Sequence, residues 1–102
     1  MTDLLHDLEG LLRSRKEQQP RGSYSVALVT DPIMAQRKIM EEAFELCLEL
    51  GSRDVDPDRT VAEAADLVFH LLAGLVGAGV PWDQVLTELA SRRRPPPSHD
   101  SR

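Results

Sequence analysis

The sequence predicts an all-α domain: a small bundle of four main helices with a central antiparallel hairpin, completed by dimerisation. Three observations carry this. Apolar residues recur at helical spacing along most of the chain, and no stretch of any length alternates with period two. The composition is 41% hydrophobic but only 4% aromatic, with Leu, Ala and Val prominent, which favours helices. Two Asp-Pro pairs, Asp31-Pro32 and Asp56-Pro57, each open an apolar run. Each pair puts a capping carboxylate just before a proline at the first helical position.

Taken in order, Leu4, Leu5, Leu8, Leu11 and Leu12 give an amphipathic helix over about residues 3 to 16. Gln18-Gln19-Pro20-Arg21-Gly22 breaks it. Ser23 to Val29 fits either a turn of helix or an extended linker. The second main helix runs from Asp31 to Gly51, a natural stop. The third starts at Asp56 and reaches about Val76 or Gly77, where Gly77-Ala78-Gly79 ends it. Pro81 opens the fourth, with Trp82 at its entry and Val85, Leu86 and Leu89 as its apolar stripe. Asp83 near its start and Arg92 to Arg94 near its end suit the helix dipole. Residues 1–93 form the domain, and the Pro-rich stretch 94–102 reads as a disordered tail.

The formal net charge of −5 argues against a nucleic-acid binder, which needs a basic face. The clusters at Arg13 to Lys16, Arg37-Lys38 and Arg92 to Arg94 still allow a small phosphorylated ligand. A single cysteine, Cys47, rules out an internal disulfide and points to a cytoplasmic protein. Met1-Thr2-Asp3 leads straight into the first amphipathic pattern, so no signal peptide is expected. The longest apolar run, Leu67 to Val80, contains His70 and is too short to span a bilayer.

The chemistry gathers on the two central helices. On a helical wheel, Lys38, Glu41, Glu42, Glu45 and Glu49 share one narrow arc, and apolar residues fill nearly all the rest. Arg59, Glu63, Asp66 and His70 share an arc on the next helix. Packed antiparallel, the two stripes would crowd four or five carboxylates into one cleft. Such crowding raises carboxyl pKa values unless a cation sits among them. A hard divalent ion held by oxygen ligands, Mg²⁺ first, resolves the repulsion. Plainer roles stand beside this one. Thr60 and Glu63 fit a capping box, Lys38 fits an i,i+4 partner for Glu42, His70 fits a satisfied structural histidine, and Cys47 sits on the apolar arc as a core residue.

Three stretches carry a family likeness: Pro20-Arg21-Gly22-Ser23-Tyr24-Ser25, Lys38-Ile39-Met40-Glu41-Glu42-Ala43-Phe44-Glu45, and Glu63-Ala64-Ala65-Asp66-Leu67-Val68-Phe69-His70. The Glu-Glu-x-x-Glu and Glu-x-x-Asp pattern resembles the all-α nucleoside triphosphate pyrophosphohydrolases, which include the MazG-like enzymes. Within them the three stretches are similar to phosphoribosyl-ATP pyrophosphohydrolase, as is the segment at 79–89. The resemblance implies Mg²⁺-dependent hydrolysis of the α–β phosphoanhydride of phosphoribosyl-ATP in a homodimer. It implies metal ligands at Glu42, Glu45, Glu63 and Asp66, with Glu41 as a second-ion ligand or a base. Lys38 and His70 become phosphate contacts, and Tyr24, Ser23 and Ser25 contacts to phosphates or ribose. Two rival readings stay open: a pyrophosphatase of another (deoxy)nucleoside triphosphate, and a non-enzymatic helical dimerisation module.

Overall fold

The structure is a computed structural model and describes residues 3–93. The predicted tail at 94–102 lies outside the described residues. Among those described there are five helices and no strand: α1 (Asp3–Gln18), α2 (Tyr24–Thr30), α3 (Pro32–Leu50), α4 (Pro57–Ala78) and α5 (Trp82–Ser91).

Both Asp-Pro starts form as read. The Asp31 carboxylate accepts from the N–H groups of Ile33 and Met34 at 3.1 and 3.2 Å. Asp56 does the same for Asp58 and Arg59 at 3.0 and 3.4 Å. Because Asp56 is the cap, Thr60 instead turns its hydroxyl back to the Asp56 carbonyl at 2.8 Å, so Thr60 and Glu63 form no capping box.

The ambiguous stretch after Gly22 is α2, a seven-residue helix. Its Leu28 and Val29 are buried with Leu12, Leu72, Ala73 and Val76, and this cluster is the core. Burial of two adjacent large side chains between α1 and α4 is what favours a helix here over a linker.

The chain passes through Gly77 without stopping. A Cβ at this position would meet the Val29 carbonyl oxygen at 2.9 Å, so the glycine is a notch that lets α2 lie close to α4. The stop is Gly79, in the left-handed region at φ 76°. Val80 N–H bonds to Leu75 O at 2.9 Å and Gly79 N–H to Val76 O at 3.0 Å, a Schellman closure. Lys16 of α1 donates to the carbonyls of Gly77 and Val76 at 3.0 and 3.4 Å, joining α1 to the same helix end.

A buried acid ties α5 to α1. Glu9 accepts the backbone N–H of Trp82 at 2.8 Å and pairs with Arg13 at 3.2 Å. Asp83 lies in the first turn of α5, 2.7 Å from His6. Arg92 stands at the C-cap, paired with Glu88 at 3.0 Å, so the basic cluster begins just past the last turn.

Two expectations need correction. Cys47 is exposed, not core. The apolar arc it belongs to is open as well: Met40 is 66% and Phe44 63% exposed, with Leu48 and Leu50 alongside, and α4 exposes Val61, Val68 and Leu71. The physical reason is that one chain packs helices against only part of the α3–α4 hairpin. The radius of gyration, 16.0 Å, exceeds the value of about 13 Å for a compact domain of this size. The second correction concerns length. Read from the run Leu67 to Val80 alone, the segment falls short of a bilayer, but the helix includes ten earlier positions. α4 has 22 residues, and with an 18-residue stretch of mean hydropathy 1.6 it is long and apolar enough to cross a membrane by length and composition, a test that the core helix of a bundle also passes. It packs against α1, α2 and α3 as the central helix of the bundle.

Candidate active site

The site follows from the register of α3 on α4. Arg59 Nε lies 3.2 Å from Glu49 Oε2, which fixes the end of the hairpin nearest its loop. One turn further, the Glu45 and Glu63 carboxylates come together, with oxygens within 4.8 Å of each other. At the far end the backbones come close at Gly74, where a Cβ would be 3.7 Å from Ala35 Cβ and 3.1 Å from Ile39 Cδ1. Antiparallel register therefore sets Asp66 level with Glu42, and His70 level with Lys38. The two polar arcs read from the sequence face each other as one ladder.

Glu42, Glu45 and Glu63 converge. Each offers a carboxylate oxygen, and the three oxygens lie within 4.8 Å of one another. Oxygens about 2.0–2.6 Å from a shared hard cation are separated by about that much. Glu42 is buried, and its Oε1 has no hydrogen-bond partner. Its other oxygen is 4.0 Å from Lys38 Nζ. A buried carboxylate oxygen left without a donor costs free energy that a metal ion at this place would offset. The Glu63 carboxyl is pushed above its ordinary range by its hydrogen bond to Glu45, by burial, and by the charges of Glu45, Glu42 and Asp66. The donor set is all oxygen, converging and short of positive charge, which fits a hard divalent ion.

The remaining candidates take distinct places. Asp66 is exposed and outside the converging three, though its charge reaches Glu63. Glu41 is exposed and bound to Lys38 at 3.1 Å. The lysine pKa is raised, first by the hydrogen bond and charge of Glu41, then by Tyr24 and Glu42. Lys38 thus favours the i,i+3 partner over the i,i+4 partner its spacing suggested. His70 is buried, with Nδ1 2.7 Å from the Asp66 carbonyl and Nε2 2.8 Å from the Tyr24 hydroxyl. Ser23 and Ser25 hydroxyls bond each other at 2.8 Å. Sequence reasoning missed the Tyr24–His70 contact, since nothing in the spacing of α2 and α4 announces it. It also missed Glu9, whose polar contacts are to a backbone N–H on α5 and to its own helix. An apolar cavity of about 710 Å³, lined by Lys16 of α1, Val29 of α2, Ile39 and Met40 of α3, and Leu71 and Leu75 of α4 among others, includes none of the acids and is separate from the site.

Comparison with known proteins bears on this geometry. The model of the family described as phosphoribosyl-ATP pyrophosphohydrolase matches residues 5–93. A phosphoribosyl-ATP pyrophosphatase of Metallosphaera sedula is 37% identical over 95 residues, covering 92% of this chain and 100% of that protein. One from Caulobacter vibrioides is 36% identical over 92 residues, covering 90% and 84%. One from Methylobacterium nodulans is 39% identical over 94 residues, covering 89% and 84%. No solved structure matches the chain at a significant level.

Proposed function

The chain belongs to the phosphoribosyl-ATP pyrophosphohydrolase family and is a hydrolase of histidine biosynthesis, and from that premise we propose the bond it cleaves and the residues that do so. The reaction is hydrolysis of the α–β phosphoanhydride of phosphoribosyl-ATP, releasing pyrophosphate and phosphoribosyl-AMP, in a soluble cytoplasmic enzyme. The observation that carries this reading is the convergence of Glu42, Glu45 and Glu63 around an unpartnered buried oxygen. Acids so placed repel each other and the substrate unless a cation is bound with them.

Glu42, Glu45 and Glu63 would hold Mg²⁺, with Asp66 one turn along α4 as the further ligand. The ion, when bound, neutralises charge on the phosphate oxygens and makes a coordinated water more acidic. Lys38 is the cation next to the acids and takes a phosphate oxygen. Glu41, tied to Lys38, is the carboxylate left to accept the proton of the attacking water once phosphate engages the lysine. Ser23 and Ser25, at the start of α2, present hydroxyls to phosphate or ribose; Tyr24 and His70 lie at the same end of the ladder. No covalent nucleophile is needed.

The open apolar faces of α3 and α4 support a homodimer, in which a second copy covers Met40, Phe44 and Leu71. Phosphorus NMR of the purified protein with phosphoribosyl-ATP and Mg²⁺ tests the reading. Pyrophosphate and a monophosphate product are expected. Turnover of deoxynucleoside triphosphates with none of phosphoribosyl-ATP would overturn the substrate, and no turnover of either would overturn the enzyme.

A further inference from the structure

The Tyr24–His70 pair has a direction. His70 Nδ1 faces the carbonyl oxygen of Asp66 at 2.7 Å, and a carbonyl can only accept, so Nδ1 carries the proton. In the neutral ring Nε2 is then an acceptor, and the Tyr24 hydroxyl, 2.8 Å away, donates to it. The Tyr24 and His70 rings meet edge to face at 82°, Phe69 meets the imidazole edge to face at 83°, and the two hydrogen bonds hold each ring nitrogen to its own partner. The phenol proton is committed inward. Tyr24 as a residue is 47% exposed, and its oxygen, having given its one proton to His70, still has acceptor capacity.

That polarity decides what Tyr24 can bind. Phosphate oxygens are acceptors and have nothing to give to an oxygen whose proton is already used. A hydroxyl can donate. Place matters too: His70 is one turn beyond the level of Glu42 and Asp66, and two turns beyond Glu45 and Glu63. At 1.5 Å per residue this sets Tyr24 about 6–10 Å along the ladder from the acids. A nucleotide spans that interval between its phosphates and its sugar hydroxyls.

Resting on the reading of the acids as the phosphate end, we propose that Tyr24 accepts a hydrogen bond from a hydroxyl of the sugar adjoining the triphosphate, and that His70 is the positioning residue that makes Tyr24 an acceptor. His70 touches no substrate. The backbone carbonyl of Asp66 fixes the tautomer, the tautomer fixes the direction of the phenol, and the phenol selects a ribose over a deoxyribose.

The test uses pyrophosphate release from phosphoribosyl-ATP and from its 2′-deoxy and 3′-deoxy forms. In the wild type, loss of one of the two hydroxyls is expected to cost about tenfold in kcat/KM, chiefly through KM. Tyr24→Phe and His70→Asn are expected to lose that factor on the full substrate and to become indifferent to the missing hydroxyl. Asparagine keeps the bond to the Asp66 carbonyl but not the acceptor for Tyr24; His70→Gln replaces the acceptor and should restore discrimination. The double variant Tyr24→Phe, His70→Asn should be no worse than the poorer single one. Nitrogen NMR of the imidazole should show Nδ1 protonated and Nε2 bare. Wild-type indifference to both hydroxyls, discrimination surviving in Tyr24→Phe, or a protonated Nε2 overturns the proposal. If the wild type releases no pyrophosphate, the functional reading fails separately, and the same ratios measured by calorimetry with ATP, 2′-deoxy-ATP and 3′-deoxy-ATP decide this one. Equal binding of the three, or none, counts against it.

Discussion

The carboxyl groups of Glu45 and Glu63 face each other across the seam between α3 and α4, with oxygens within 4.8 Å of each other. A hydrogen bond between them, which needs a proton on one of the two, raises the Glu63 pKa above its ordinary 4.5, and burial and the neighbouring charges add to the rise. The folded, metal-free chain therefore keeps this proton to a higher pH than the unfolded chain does. The stability it contributes is fully present below about pH 4.5 and is lost as pH rises through the folded value. A divalent ion bound among these acids would take the place of the proton and reverse the dependence. The rise in melting temperature on adding Mg²⁺ should thus be small near pH 5 and grow toward pH 8. Melting curves at the two pH values, with Mg²⁺ and with chelator, check this; an equal rise at both would count against a shared proton.

Glu42 sets function against stability. Its Oε1 is buried without a donor, and Lys38 reaches only the other oxygen, at 4.0 Å. Glu42→Gln removes the buried charge and supplies a donor in place of one acceptor. In chelator the variant should melt higher than the wild type by a few degrees, corresponding to about 1 kcal/mol. It should also lose its response to Mg²⁺ and at least about a hundredfold in turnover. Circular dichroism melts and pyrophosphate release give both numbers. A variant that melts lower and stays active would make Glu42 a structural acid.

Much of this was legible in the residues. The Asp-Pro starts, the six acids on two narrow arcs and Lys38 beside them are local patterns, set by one turn of helix and a capping carboxylate. Other features are relations between elements that no window contains. Gly77 looks like a stop because glycine weakens helices, yet it is there for the Val29 carbonyl on another helix. Cys47 looks buried because its arc is apolar, yet the single chain leaves that arc uncovered. Tyr24 and His70 were each candidates, but their hydrogen bond, and so their polarity, depends on how α2 docks.

Gly77→Ala tests that docking. The added methyl would stand 2.9 Å from the Val29 oxygen and 3.3 Å from its carbon, both backbone atoms that cannot swing away. Relief requires α2 to move off α4, disturbing Leu28 and Val29 in the core. The cost should be about 1–3 kcal/mol despite alanine's better helix propensity. A melting temperature lower by at least about 4 °C is expected, whereas an unchanged or higher one would show that α2 has room.

Glu9 should govern the seating of α5. It is the acceptor for Trp82 N–H at 2.8 Å and is itself buried. Glu9→Ala strands that N–H and should cost about 2 kcal/mol. Trp82 is the only tryptophan, so its fluorescence reports this contact directly. The emission should shift to the red in the variant at a temperature where α1 to α4 remain folded by circular dichroism. Unaltered emission would mean that the His6–Asp83 pair and the apolar contacts of Trp82 hold α5 by themselves.

The uncovered face of α3 makes the last prediction. Met40 and Phe44 are one turn apart and more than 60% exposed, with Leu48 one turn further along the same helix. A row of that kind has little to gain from water and much to gain from a second copy: about 800 Å² per partner makes a stable interface, at about 25 cal/mol for each Å² of apolar surface buried. Phe44→Glu would place a charge within that covered surface. Left unpaired there, it should cost about 3–5 kcal/mol, weakening association by a factor of roughly 100 or more. The same residue is already exposed in the single chain, so the helices themselves should be little affected. Sedimentation at micromolar concentration should give about twice 11.4 kDa for the wild type and the single-chain mass for Phe44→Glu, at similar helix content. A wild type that sediments at the single-chain mass would remove the second copy from the reading and leave this face to another partner.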